Sequence, residues 1–426
     1  MRLPPKFMNL VYLGLRSSTL FFRFLLSFYI IRYLGFEAAG IYGLTVGIIG
    51  LMPATIGWGL NYFVAREVVG HHPADVIGRV KDRLFVTFVS LTAATLILVS
   101  AMPFFGYHFS YLYLYVVALV WLETFGLDVS LPMIGLEKAV EVNVLVFVRS
   151  GLWVPLVIAL GLTLPQYRTI DVVLISWIGA NMMSWSLFLY IARGWHLRRG
   201  LRTPIDFGWI RSRLGRSWYI YLSDLSIVGL IYMDRYIVSF MLGLAATGIY
   251  TFFWSLSNAL QTLVATVVVQ IALPILVKTF PQEDRSAWRS ALRRELTKTI
   301  LFSTGLAVAI FAASEVLLAY MSMQGLREHR SLFLLMLVSA VLRSCSDLAN
   351  VGITSTGKDR FYAAINISGV FLSLTLSFVC IYAFGLIGAG VGSLVTAIIL
   401  LSARFYFLNR TFKASKLPTE TAARAN

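Results

Sequence analysis

Twelve stretches of about twenty mostly apolar residues follow one another along this chain, and no other feature limits its fold as tightly. They run over roughly 16–35, 40–62, 84–104, 111–131, 143–163, 170–191, 217–241, 248–275, 299–321, 331–353, 363–383 and 388–408. A helix of that length matches the ~30 Å hydrocarbon core of a bilayer. Lipid offers no hydrogen bonds to a bare backbone, so such stretches cross it as helices. Only 13% of the 426 residues are charged, about half the share in a soluble domain. Too little polar surface remains to cover a water-soluble core of this size. The expected fold class is an all-α integral membrane protein of about twelve transmembrane helices. The longest connections, near 193–213 and 278–297, are about twenty residues long and leave no room for a soluble catalytic domain.

The net charge of +16 would suggest nucleic acid in a soluble protein. Here the basic residues sit in short loops between apolar runs, the signature of the positive-inside rule, and no nucleic-acid partner is expected. With the N-terminus inside, Arg32, Arg168, Arg327 and Arg330 fall outside and Arg23, Arg235 and Arg343 fall at membrane depth. The other 29 or so of the 36 Lys and Arg residues are cytoplasmic. That bias places both termini in the cytoplasm and requires an even number of spans. Arg2, Lys6 and Arg16 precede the first run without a small-residue cleavage site after it, so a retained first helix is expected. Cys345 and Cys380 both lie in apolar spans and supply neither a disulfide framework nor a metal cluster. His71-His72 reads as a solvated loop pair.

The chain also repeats itself. Leu34-Gly35-Phe36-Glu37-Ala38-Ala39-Gly40-Ile41-Tyr42 recurs as Leu242-Gly243-Leu244-Ala245-Ala246-Thr247-Gly248-Ile249-Tyr250, about half the chain length later. A weaker pair follows, Ile134-Gly135-Leu136-Glu137-Lys138 and Thr356-Gly357-Lys358-Asp359-Arg360, each after a half's fourth span. Six spans separate the copies, so the halves share one orientation. They would be two six-helix lobes related by a pseudo-two-fold axis along the membrane normal, an arrangement typical of transporters. The expected division is 1–208 and 209–408, with 409–426 a polar cytoplasmic tail.

The LG-x-x-x-x-G-I-Y turn of both halves resembles the polysaccharide-flippase branch of the MATE/MOP exporter superfamily, especially Wzx-type O-antigen flippases. So do Asp234-Arg235 and the turn Phe384-Gly385-Leu386-Ile387-Gly388-Ala389-Gly390. The resemblance implies a two-lobed transporter of the inner membrane. It would move a polyprenyl-diphosphate-linked oligosaccharide, of the undecaprenyl type, from the cytoplasmic to the periplasmic leaflet by alternating access. It also implies a cationic cavity between the lobes. Expected partners are this lipid-linked oligosaccharide, membrane lipids, and the polymerase and chain-length regulator of the same pathway.

Charges inside the spans are costly, about 2.5–3.5 kcal/mol for a central Arg or Asp on insertion scales, and so mark cavities or partners. Arg23 lies seven residues after Arg16, two turns along one helix face. Two guanidiniums on one face suit a diphosphate, whose oxygens match their planar fork. Arg235, Arg149 and Arg343 complete the candidate diphosphate-binding set. Asp224 and Arg235, eleven residues apart, would share a face about 16 Å apart. Arg343 and Asp347 stand at i and i+4, a spacing for mutual neutralisation, while Asp234 would pair locally. Glu123, Asp128, Asp224, Glu315 and Asp347 are candidates for ion coupling, since desolvation raises a buried carboxylate's affinity for a proton. No cofactor is expected beyond a coupling H+ or Na+. Trp58 and Trp254 lie inside spans, where they could stack on sugar rings or fill helix contacts. Two other classes remain: a cation-coupled drug exporter built on the acidic residues, and a membrane glycan polymerase or glycosyltransferase. The deep Arg residues oppose the first and the short outer connections oppose the second.

Overall fold

The computed structural model describes residues 5–105, 110–195, 197–280, 285–320, 324–355 and 359–413. Among these residues the chain is helical almost throughout and has no strand. In chain order the helices are α1 (Pro5–Tyr29), α2 (Phe36–Gly57), α3 (Leu60–Glu67), α4 (Pro73–Ala101), α5 (Tyr111–Gly135), α6 (Ala139–Phe147), α7 (Val154–Thr163), α8 (Ile170–Ile191) and α9 (Leu197–Arg202). There follow α10 (Phe207–Tyr232), α11 (Asp234–Val264), α12 (Gln270–Thr279), α13 (Arg285–Tyr320), α14 (Gln324–Arg327), α15 (Arg330–Ser355), α16 (Asp359–Phe384) and α17 (Leu386–Lys413). Wide π-turns at Ile30–Leu34, Val148–Leu152 and Ala265–Val269 interrupt three of the spans.

Eleven segments of the described residues are long and apolar enough to cross a membrane. One of them, Phe207–Thr279, has 73 residues, far more than one crossing needs. Gly243 divides it, with φ 81° and ψ −178° inside α11. Gly35, at the same place in the first nonapeptide, has φ 91° and ψ 175° and precedes α2. This backbone region is essentially closed to residues with a Cβ. The sequence repeat therefore records one backbone turn used twice, and Gly243 restores twelve crossings. The second copy of the weaker repeat falls partly at 356–358, outside the described residues.

The chain forms two compact units, Met1–Val228 and Gly229–Asn426. The division falls inside α10, twenty residues beyond 208. The reason is that the first unit holds the start of that helix. Trp209 and Ile210 are buried with Val64, Val68 and Val76, and the Tyr221 hydroxyl donates to the Thr55 carbonyl at 2.9 Å. Asp206 caps α10 by accepting the Trp209 N–H at 2.8 Å, and Arg79 binds its other oxygen at 2.7 Å. These contacts stitch α10 to α2, α3 and α4 before the chain enters the second unit.

Large apolar side chains such as Leu96, Ile97, Leu156, Phe371 and Val316 are exposed. Each unit's interior, by contrast, contains many hydroxyls and several charges, including Arg83, Asp128, Asp234 and Arg404. Apolar outside and polar at the centre is the distribution that lipid imposes.

Candidate functional site

In the first unit, α5 projects two carboxylates inward, and each is met by an Arg from another helix. Asp128 and Arg83 are both 0% exposed and lie 2.9 Å apart. Arg83 also donates to Asn61 at 2.8 Å and to Thr87 at 2.6 Å. Asn61 and Thr87 in turn donate to Asp128. The four side chains close a network among α3, α4 and α5 in which Asp128 is fully satisfied, a structural arrangement rather than an open coupling site. Arg83 is absent from the residues expected at membrane depth. It lies at the start of an apolar run, where a basic residue is ordinarily solvated. Only the carboxylate 45 positions on could have signalled its burial.

Glu123 lies five residues earlier on α5, about one and a half turns. One of its oxygens accepts from Trp177 Nε1 at 2.9 Å and Asn181 Nδ2 at 3.1 Å. The other lies 3.4 Å from Arg149 Nε. Trp177 stacks on Trp153 and packs against Tyr42. Tyr42 is the first copy of the repeated Tyr, and Trp177 links it to Glu123. Arg149 is carried on the π-turn Val148–Leu152, a distortion frequent at functional sites.

Arg23 itself is half-buried in the span Gly14–Leu34. Among the described residues its side chain has no ion pair and no hydrogen bond. Arg16, two turns earlier, is exposed. Asp224, on α10, is exposed and also lacks a polar partner among the described residues.

The second unit reverses two expected pairings. Arg343 does not neutralise Asp347, one turn away. It reaches instead across to Asp234 at 3.9 Å and donates to Ser393 at 3.0 Å. Asp234 also accepts from Ser377 at 2.9 Å and from Tyr250 at 3.4 Å. Asp234 therefore pairs across helices and not locally. Asp347 pairs with Arg404 of α17 at 3.7 Å, and Arg404 is further held by Ser346 and Asn366. The i, i+4 spacing permits a pair, but both side chains are drawn to neighbouring helices that offer more hydrogen bonds. Tyr250, the second copy of the repeated Tyr, sits beside this unit's carboxylate as Tyr42 sits near Glu123.

Arg235 is 1% exposed, and its guanidinium lies 4.0 Å from the Trp254 ring centroid and 5.0 Å from that of Tyr232. This aromatic cage accounts for Trp254 and does not present Arg235 to a cargo. Asp224, in the first unit, is exposed, and Arg235, in the second, is buried. Glu315 meets Arg330 at 3.5 Å. Trp58, in a left-handed conformation (φ 50°) at the break between α2 and α3, donates to Ser90 and stacks on Tyr221. No cluster of three or more metal-ligating His, Cys, Asp or Glu side chains occurs among the described residues.

Apolar helices around buried ion pairs, in two units that each contain the same glycine turn, define a polytopic helical membrane protein. Solved structures agree in fold. An inward-facing multidrug-resistance MATE family transporter of the MOP superfamily superposes with a TM-score of 0.72 at 15% identity, covering 96% of this chain and 99% of that one. The lipid II flippase MurJ in an inward closed conformation gives 0.71 at 11% identity, covering 95% and 87%. A MOP superfamily transporter from Pyrococcus furiosus, described as having a binding pocket of reversed polarity, gives 0.55 at 12%, covering 96% and 95%. No curated protein matches the sequence. Residues 10–280 match the family described as "Polysaccharide biosynthesis protein", well over half of the chain, and the protein belongs to that family.

Proposed function

We propose that this protein is a flippase of the cytoplasmic membrane, both termini in the cytoplasm. It carries a polyprenyl-diphosphate-linked oligosaccharide to the outer leaflet for surface polysaccharide synthesis. The observation that carries the reading is Arg23. A guanidinium stays charged at any physiological pH, and one left without a protein anion inside a span needs water or an anionic cargo. Family membership and the fold shared with a lipid II flippase support a lipid-linked cargo. In this reading the headgroup enters at Arg16, meets Arg23, and crosses as the two lobes alternate access, while the isoprenoid tail stays in lipid. The paired Arg149, Arg343 and caged Arg235 then serve the lobes' interiors rather than the first capture of cargo. Glu123, buried on α5 and met by Arg149 at 3.4 Å without a hydrogen bond between them, is the leading candidate for coupling to a proton gradient.

Asp224 favours a second reading, export of an organic cation, because it too is unpaired in a span. The two separate in a deletion strain. The flippase reading expects lipid-linked oligosaccharide to accumulate on the cytoplasmic face and surface glycan to disappear, with drug sensitivity unchanged. Normal glycan with increased sensitivity to cationic drugs would favour the exporter.

A further inference from the structure

Two asparagines flank the two carboxylates of α5, and their amides are held differently. Beside Asp128, Asn61 is tied at both ends. Its Nδ2 donates to the carboxylate at 3.0 Å and its Oδ1 accepts from Arg83 at 2.8 Å. Beside Glu123, Asn181 of α8 is tied at one end. Its Nδ2 donates to Glu123 Oε1 at 3.1 Å and to the Trp177 carbonyl at 3.1 Å. Its Oδ1 has no hydrogen bond among the described residues, although Asn181 is only 1% exposed. Buried polar atoms are almost always satisfied, so this oxygen is an acceptor in need of a donor.

The chemistry of Glu123 supplies one. A carboxylate only accepts, whereas a carboxylic acid also offers an O–H. A proton on Oε2 would set that O–H against the Nε–H of Arg149, 3.4 Å away. A proton on Oε1 leaves Oε2 as an acceptor facing Arg149, but it meets the Asn181 amide N–H as the side chains stand. Turning that amide by half a rotation removes the conflict. Oδ1 then accepts from Oε1–H, and the Trp177 indole N–H still donates to a lone pair of Oε1. The torsion involved is soft, and the Trp177 carbonyl keeps its α-helical bond. Asn61 cannot turn in this way, because Arg83 holds its oxygen.

We infer that Asn181 is a positioning residue that reads the proton on Glu123, presenting Nδ2 to the carboxylate and Oδ1 to the carboxylic acid. This presupposes the proton-coupling role proposed for Glu123. The groups that face Glu123 from neighbouring elements are Arg149 of the π-turn and Tyr42 of α2, whose ring packs beside Trp177. On the side of α4, Arg83 is committed to Asp128. From α8 come Trp177 and Asn181, neither of them charged.

The test is infrared difference spectroscopy of the purified, detergent-solubilised protein carrying isotope-labelled asparagine. The pH is stepped from about pH 9 to about pH 4, a window that covers buried and exposed carboxyls alike. A carboxylic-acid band that is lost in Glu123→Gln belongs to Glu123. A side-chain amide change should appear in the same step and vanish in both Asn181→Leu and Glu123→Gln. Asn181→Ser makes the assignment if leucine prevents folding. Trp177→Phe removes a donor but leaves the turning amide, and should keep the change. An amide change that survives in Glu123→Gln, or a Glu123 band without any amide change, overturns the inference and leaves Glu123 as the coupling group. A Glu123 band absent from the whole window overturns the coupling role and the inference together, while the carrier reading still rests on Arg23→Ala.

Discussion

Removing the Asp128 carboxylate should be among the most damaging single changes to the first unit. Arg83 and Asp128 lie 2.9 Å apart with neither exposed to solvent. At an effective dielectric of 20 their attraction is about 6 kcal/mol, most of it offset by the cost of desolvating both charges. Asp128→Ala forfeits the attraction and keeps the cost for Arg83. It also strips Asn61 and Thr87 of an acceptor. Breaking a buried pair from one side costs about 3–5 kcal/mol. Replacing both partners, as Arg83→Met with Asp128→Leu, should recover most of that loss, because no charge is left stranded. The assay is a denaturant titration in mixed micelles, comparing both single variants with the double. The reasoning is refuted if Asp128→Ala costs less than about 1 kcal/mol, the range of ordinary surface changes. It is refuted equally if the double variant is as unstable as the sum of the singles.

Gly35→Ala and Gly243→Ala should each destabilise by about 1–3 kcal/mol, since both glycines hold a backbone region closed to alanine. Gly194→Ala, outside that region, should be near neutral in the same titration. Asp206 should give the first unit an acid-sensitive component. The Trp209 N–H, and then Arg79, hold its carboxyl below the usual carboxylate range. A lowered folded value means the contribution is complete above about pH 4 and fades as pH falls through the folded value. Asp206→Asn should flatten that part of the stability profile between about pH 5 and 2.

The membrane fold was legible because hydropathy runs and glycine turns are local properties. The nonapeptide repeat pointed to Gly35 and Gly243, and both have the same unusual dihedrals. The side-chain pairings were not legible, because a pairing across helices depends on rotation and tilt that no spacing encodes. Arg343 and Asp347 met the i, i+4 rule, but each turned to another helix. Arg83 and Arg404 were counted among cytoplasmic charges because they sit where an apolar run begins or ends. In the fold they are buried and neutralised by Asp128 and Asp347. Depth in sequence marks Arg23 and Arg235 alike, and it does not announce that Tyr232 and Trp254 enclose the second.

The most direct test follows a fluorescent or radiolabelled polyprenyl-diphosphate oligosaccharide from the inner to the outer leaflet of proteoliposomes. The wild-type protein should move it, Arg23→Ala should reduce the rate to that of empty vesicles, and Arg23→Lys should restore only part of it. Flipping by Arg23→Ala at the wild-type rate would contradict the role of that unpaired guanidinium. A wild-type protein that flips no lipid-linked sugar would contradict the carrier account as a whole.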